Sequence, residues 1–179
     1  THWLKNNSIE SLRNIKILDP CCGSGNFTQI IIEYLLNIFK NTFKESNEKD
    51  LLLHIIENNI YSWDVNEEAI YICQNRIKNI FNIEPIHILT KNTLLENNSF
   101  DIIIGNPPYG DLLSNELKSQ INSSFDNIAL DFIEWCNHSI NQNGEVCLIV
   151  PHSFSRSKNY ESWRENLYKN RNLYMCVDV

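Results

Sequence analysis

"IKILDPCCGSGNFTQIIIEYLLNIF" occupies residues 15–39 and sets the fold in miniature. Ile15 to Asp19 is a short apolar run that reads as a buried strand. Gly23 and Gly25 follow, where the chain must turn. After them Phe27, Ile30, Ile31, Tyr34, Leu35 and Ile38 recur at helical spacing, which predicts a helix with that stripe facing the core. Strand, glycine turn and helix form the first unit of a parallel sheet with crossover helices.

The same rhythm continues outward. "NIYSWDV" (59–65) reads as a second strand, and Asn66 caps a helix over "EEAIYICQNRIKNIF" (67–81), whose first turn holds two acids where the helix dipole favours them. "IHIL" (86–89) and "FDIIIG" (100–105) predict two further strands. A helix starts at Asp126 or Asn127, has Leu130, Ile133 and Ile140 on one side, and stops at Gly144. "EVCLIVP" predicts a fifth strand, "YESWRENLYKN" a helix and "LYMCVDV" (173–179) a sixth strand. Residues 40–59 are long for one crossover and are expected to hold an extended or second helix. The fold class expected is therefore α/β, a mostly parallel twisted sheet with helices on both faces. The abrupt start and end suggest one domain, 1–179, truncated at both ends.

Bulk properties narrow the function. A length of 179 residues suits one domain with a full core. The richest apolar stretch, "TQIIIEYLLNIF", is broken by Glu33 and Asn37, so no membrane association is expected, and "THWLKNNSIE" lacks the pattern of a secretory signal. The six cysteines form no C-x-x-C pair and no zinc spacing, which predicts reduced thiols in a cytoplasm and no metal. The net charge of −7 argues against a chain that grips nucleic acid mainly through phosphates. Residues 153–171 are the local exception: Arg156, Lys158, Arg164, Lys169 and Arg171 read either as a solvated helix face or as a phosphate-tracking patch.

The glycine turn stands at the carboxyl end of a strand, where open α/β sheets bind ligands. No third glycine follows at the dinucleotide spacing, since Asn26, Phe27 and Thr28 come next, and Asp19 would repel a pyrophosphate. A neutral or cationic ligand fits better. Asp64, at the end of the second strand, can accept from the paired hydroxyls of a ribose, with Val65 covering an adenine face. Taken alone, Asp64 would be a solvated strand-end acid. Together with the glycine turn, the residues point to a nucleoside that carries an amino acid in place of phosphates: S-adenosylmethionine.

"DIIIGNPPYG" (101–110) then ends a greasy strand in an amide, two prolines and an aromatic. Proline fixes φ and adds no backbone donor, so Pro107 and Pro108 stiffen a loop rich in acceptors. Tyr109 offers a flat face for stacking. In order, "DPCCGSGNF", "IYSWDVNEEAI", "KNTLL", "FDIIIGNPPYG" and "GEVCLIVPHSF" resemble the N6-adenine-specific DNA methyltransferases of restriction-modification systems, in the type IIG-like arrangement with the cofactor motif first. The resemblance spans roughly residues 15–178.

It implies a Rossmann-like class I S-adenosylmethionine-dependent methyltransferase fold. It implies cofactor binding by Asp19, Pro20, Cys21, Gly23, Gly25, Asp64, Val65 and Asn92. Catalysis falls to Asn106, Pro107, Pro108 and Tyr109, with the Asn106 side-chain oxygen and the Pro107 carbonyl accepting from the adenine amine. The implied partner is double-stranded DNA with a flipped adenine, read mainly by a recognition domain absent from this stretch. Cys21 and Cys22 are close-packed turn residues rather than nucleophiles.

Two departures carry structural expectations. Where the family often has glycine two positions before the second-strand acid, Ser62 and then Trp63 stand here, which implies a crowded ribose edge. At the "NTLL" position Asn92 replaces a common Asp. Methylation of a protein glutamine amide or an RNA guanine amine uses similar loops, but those enzymes favour a D-x-G-x-G-x-G turn, not "DPCCGSG". A non-catalytic module of the same fold is the remaining alternative; such a module would be expected to lose Asn106 or Asp64, and both are present.

Overall fold

The computed structural model describes residues 8–110 and 113–170. By internal packing the chain forms two units, one ending at Leu148 and one starting at Ile149. In the first unit, β1 (Ile17–Asp19), β2 (Ile60–Asp64), β3 (Ile88–Thr90), β4 (Phe100–Gly105) and β5 (Ile140–Leu148) form one sheet in the order β3-β2-β1-β4-β5. Every pairing is parallel. The chain steps outward from β1 to β3, then returns to the other side of β1. The reversal therefore lies between β1 and β4, and the connections leaving those two strands open a crevice at their carboxyl ends.

Helices cover both faces, as expected. Ile32, Leu35 and Phe39 of α2 (Asn26–Thr42) pack with Ile17, Ile60 and Ile88 of the sheet. Leu51 of α3 (Glu48–His54) and Ile70, Cys73 and Ile77 of α4 (Glu67–Phe81) complete that layer, beside Leu12 of α1 (Ile9–Arg13). The opposite face buries Leu18, Trp63, Phe100 and Ile103 against Phe132, Trp135 and Cys136 of α6 (Ile128–Ser139). Trp63 meets Phe100 and Trp135 edge-on, at 5.4 and 6.2 Å between ring centroids. A short α5 (Asn115–Gln120) precedes α6. No described helix is long and apolar enough to cross a membrane.

The second helix expected within 40–59 is α3, which widens into a π-helical turn, Ile55–Asn59, before β2. A buried Asn59 ends that turn, and its amide donates to the carbonyls of Arg13 (2.9 Å) and Ile15 (2.7 Å). These bonds tie the turn to the approach of β1, which offsets the desolvation of the amide.

Three expectations need correction. The buried stripe of α2 is Thr28, Ile32, Leu35 and Phe39, while Ile30 and Tyr34 face outward. Three successive isoleucines make the apolar pattern degenerate, and tertiary packing selects the register one position on. The helix from Asn127 stops at Ser139, not at Gly144; Ile140 already begins β5, and Asn143, at φ 68°, takes the left-handed turn inside that strand. Strand β3 starts two residues later than the apolar run suggests. The expected sixth strand lies outside the described residues.

The second unit holds α7 (Ser153–Arg156) and α8 (Glu161–Asn170). Phe154 is buried there, its ring edge-on to Tyr160 at 5.0 Å and to Trp163 at 6.2 Å. Arg164 donates to the carbonyls of Phe154 (2.9 Å) and Ser157 (2.6 Å), so this cation of the basic stretch closes backbone acceptors.

Candidate active site

The turn after β1 is shaped by what lies beneath it. Gly25, at φ 83°, caps α2, and a Cβ there would overlap the Cys73 Sγ of α4 and stand 3.2 Å from Cys73 Cβ. Only glycine satisfies both the left-handed backbone and that contact. Gly25→Ala is expected to cost about 2 kcal/mol or more in stability. Urea denaturation measures this; an unchanged midpoint would contradict the packing described.

Three rim turns are stitched together by named bonds. Cys22 N donates to the Trp63 carbonyl (2.9 Å), and Gly23 N donates to Asp64 Oδ2 (2.9 Å). Asn66 N donates to Asp64 Oδ1 (2.9 Å), while the Asn66 side chain caps α4 through Glu68 N and Ala69 N. Thr93 Oγ1 donates to the Pro20 carbonyl (2.5 Å), and Lys91 N donates to the Asp64 carbonyl (2.9 Å). The turns after β1, β2 and β3 thus hold one another. Asp64 uses one lone pair on each oxygen for this. A carboxylate has about four such positions, so two remain open to further donors. Val65 stands beside them, 66% exposed.

Asp19 is the electrostatic oddity of the rim. It is only 2% exposed; Oδ1 accepts from Cys21 N at 3.3 Å, and Oδ2 is buried with no partner among the described residues. Burial, reinforced by the Asp64 charge and opposed by the Cys21 N–H, pushes its pKa from 3.8 up to about 7. An orphaned buried acceptor of this kind is what a donor or cationic group of a ligand would satisfy.

The loop after β4 opens beside this turn. Pairing of Ile17 with Ile102 and of Leu18 with Ile103 carries the register forward so that Pro20 comes level with Gly105. A Cβ on Gly105 would stand 2.9 Å from Pro20 Cδ and 3.0 Å from Asp19 Oδ1. Beyond Gly105, Pro107 is buried and stiffens the loop, whereas Asn106 and Tyr109 are exposed. Asn106 Oδ1 accepts from the Tyr109 hydroxyl, which occupies one of its two lone pairs. Among the described residues no hydrogen bond uses the Pro107 carbonyl. The strand order therefore brings Asp19, Gly23, Gly25 and Asp64 together with Asn106 through Tyr109 on one rim.

The surroundings of Cys21, Cys22 and Cys136 hold these thiols protonated. Burial, with the charges of Asp19 and Asp64, pushes the Cys21 thiol far up; a hydrogen bond to Cys73 and burial do the same to Cys22; burial raises Cys136 to about 12. The thiolate is the reactive form, so all three are inert at neutral pH. Ser62 and Trp63 do not crowd the edge beside Asp64, contrary to expectation. Ser62 is buried and shares a hydrogen bond with Thr28 (2.8 Å), and Trp63 points into the opposite core layer. Asn92 caps the turn Thr93–Leu95 by accepting from Leu94 N (3.2 Å), leaving its second lone pair and its amide for a ligand. A hollow of about 150 Å³ runs along β2 and β3, lined by Lys16, Tyr61, Trp63, His87, Leu89 and Lys91 and by Asn98, Ser99 and Phe100 at the start of β4. No described group of three or more His, Cys, Asp or Glu side chains is placed to hold a metal ion.

Thr93 is a rim residue that sequence reasoning did not single out, and Asn127, read there only as a helix start, also accepts from Gly110 N. Thr93 adjoins Asn92 in "KNTLL", and a Thr in an apolar context is the one signal that could have marked it.

A parallel sheet in this strand order, with a glycine turn after β1 and an acid after β2, is the class I S-adenosylmethionine-dependent methyltransferase fold. The chain belongs to the Eco57I restriction-modification methylase family, whose profile matches residues 3–179. It is 28% identical over 164 residues to the type II methyltransferase M.VspI of Vibrio sp. (strain 343), covering 86% of this chain and 35% of that protein. The type II methyltransferase M.BstVI of Geobacillus stearothermophilus is 22% identical over 198 residues, with 96% and 35% covered. The chain thus spans about a third of these relatives' length. Among solved structures, the DrdV–DNA complex superposes with a TM-score of 0.69 at 19% identity, over 88% of this chain and 19% of that one. The type ISP restriction-modification enzyme LlaGI, solved with a DNA substrate mimic, superposes with a TM-score of 0.70 at 18% identity, over 89% and 19%.

Proposed function

We propose that this chain is the catalytic module of a restriction-modification methyltransferase that moves a methyl group from S-adenosylmethionine to the N6 amine of adenine in double-stranded DNA. The observation that carries the reading is the juxtaposition of the Asp19–Gly25 turn with the Asn106–Tyr109 loop on adjacent strands. Family membership and the names of the relatives support methylation of DNA; the choice of adenine rests on the loop chemistry.

The cofactor supplies an electrophilic methyl group on a sulfonium. The chain's own residues fit its other parts. Asp64 keeps two lone pairs for the ribose, Val65 offers an apolar cover, Asn92 an acceptor, and Asp19 a buried carboxyl whose free oxygen suits a donor or cation.

Adenine's exocyclic amine is a weak nucleophile because its lone pair is delocalised into the ring. Asn106 Oδ1 and the Pro107 carbonyl, accepting from its two N–H bonds, pull the nitrogen towards tetrahedral geometry and free that lone pair. Pro108 keeps the acceptors fixed, and Tyr109 offers its face to the extruded base, a contact worth about 1–3 kcal/mol. Rate then comes from alignment and from hydrogen bonds that strengthen as positive charge builds on the nitrogen. With a net charge of −7, most phosphate contacts fall to a recognition module outside this stretch.

The test is incubation of the full-length protein with methyl-labelled cofactor and duplex DNA, tRNA or release factor, followed by mass spectrometry of nucleosides and peptides. Label in N6-methyladenine is expected; label confined to glutamine or to guanine of RNA would replace the reading.

Asp19 adds a pH dependence. Its buried carboxyl holds a proton up to about pH 7, whereas unfolded it would lose it near 3.8. Its contribution to apo stability is therefore fully present below 3.8 and is lost as the pH rises through about 7. A cationic or donating ligand group selects the ionised form. Cofactor affinity is expected to weaken as the pH falls below about 7, with proton release on binding, and Asp19→Asn to flatten that dependence. Calorimetry at several pH values, in buffers of different ionisation enthalpy, measures both; an affinity independent of pH from 5 to 8 would contradict it.

A further inference from the structure

We infer that Asn127 is a positioning residue that pins the far end of the catalytic loop; the inference rests on the reading of Asn106 and Pro107 as the pair that holds the target amine. The near end of that loop is fixed by β4 and by the close approach of Gly105 to Pro20. Proline restrains φ but leaves ψ free, so two acceptors can be held in register only if the exit of the loop is anchored as well.

Gly110 is that exit. It sits at φ 91°, and the chain leaves it for an excursion that carries α5 and returns at Asn127. Two bonds close the neck. Gly110 N donates to Asn127 Oδ1 (3.2 Å), and Ile128 N donates to the Gly110 carbonyl (2.9 Å). The same Asn127 oxygen accepts from Ala129 N (3.1 Å), which makes Asn127 the cap of α6.

That helix is seated by Ala129, Leu130, Phe132, Trp135 and Cys136, all buried. One amide oxygen therefore ties the catalytic loop to a rigid element of the core. Small displacements of reacting groups are costly; a misplacement of about 1 Å can lower a rate about 10²-fold.

The two duties of Asn127 separate by reach. Asp keeps an oxygen at the same distance from the backbone. Ser is one atom shorter and still caps a helix well, so it serves Ala129 N locally but falls short of Gly110 N across the chain. Ala serves neither.

In the full-length protein, Asn127→Ser is expected to keep the thermal midpoint and cofactor affinity close to wild type. Its kcat should fall about 10- to 100-fold, and exchange of the Gly110 amide with deuterium should quicken. Asn127→Asp should restore both kcat and protection, and Asn127→Ala should lose stability as well. A kcat for Asn127→Ser equal to wild type, or Gly110 exchange unchanged in all variants, would overturn the inference. Faster exchange together with a wild-type protein that puts no methyl on adenine would leave the clamp standing and remove the functional reading it rests on.

Discussion

Asn106→Ala is expected to lower kcat by about 10²- to 10³-fold, the effect typical of removing one preorganised hydrogen-bonding group from a developing charge. Cofactor affinity should stay within about twofold, and stability within about 0.5 kcal/mol, as for an exposed side chain. The reason is positional. Asn106 is exposed at the rim, and among the described residues its side-chain oxygen accepts from the Tyr109 hydroxyl, so deleting it opens no cavity and strips no partner from the glycine turn. The loss appears in the chemical step because the amide is needed most when the amine nitrogen becomes cationic. Single-turnover kinetics with saturating DNA separates this from binding. A variant with wild-type turnover, or one that fails by losing cofactor, would contradict the role given to Asn106.

Asp64→Ala should act on the other half of the reaction, weakening S-adenosylmethionine by about 10²-fold or more. Each charge-assisted hydrogen bond contributes about 1.5–3 kcal/mol, and the carboxylate serves two backbone donors, Gly23 N and Asn66 N, before any ligand arrives. Its removal therefore loosens the glycine turn as well as deleting the acceptor proposed for the ribose. Asp64→Asn is expected to fare almost as badly despite its matching shape. Both native oxygens face N–H donors, so an amide must point its own NH₂ group at one of them. Calorimetric titration of S-adenosylmethionine into the three proteins decides this; near-native affinity for Asp64→Asn would show that the rim bonds do not shape the site.

These contrasts also explain what could be read from the chain alone. The glycine turn, Asp64 and Asn66 are local patterns that spacing marks as candidates, and the Asn106–Tyr109 loop stands out by its resemblance to a family motif. The α2 stripe was misplaced by one position because Ile30, Ile31 and Ile32 satisfy more than one helical register. Gly144 looked like a helix stop, but the turn out of α6 is made at Ile140, and the left-handed backbone falls to Asn143 inside β5. The π-helical turn at Ile55–Asn59 ends where Asn59 finds its carbonyls, Arg13 and Ile15 just before β1, which no periodicity encodes. Thr93 meeting Pro20 and Asn127 meeting Gly110 are likewise contacts between distant stretches. They became visible only once the turns after β1 and β3, and the two ends of the connection from β4 to α6, were placed in space.

That strand order is also what gives the site its two halves, one that fits a methyl donor and one that fits an acceptor amine. The most direct check is a crystal structure of the full-length protein soaked with S-adenosylhomocysteine. The ribose is expected on Asp64, the amino-acid end by Asp19 and the sulfur facing the open side of Asn106 and Pro107. Density for the ligand elsewhere on the sheet, or a sulfur turned away from that loop, would contradict this arrangement.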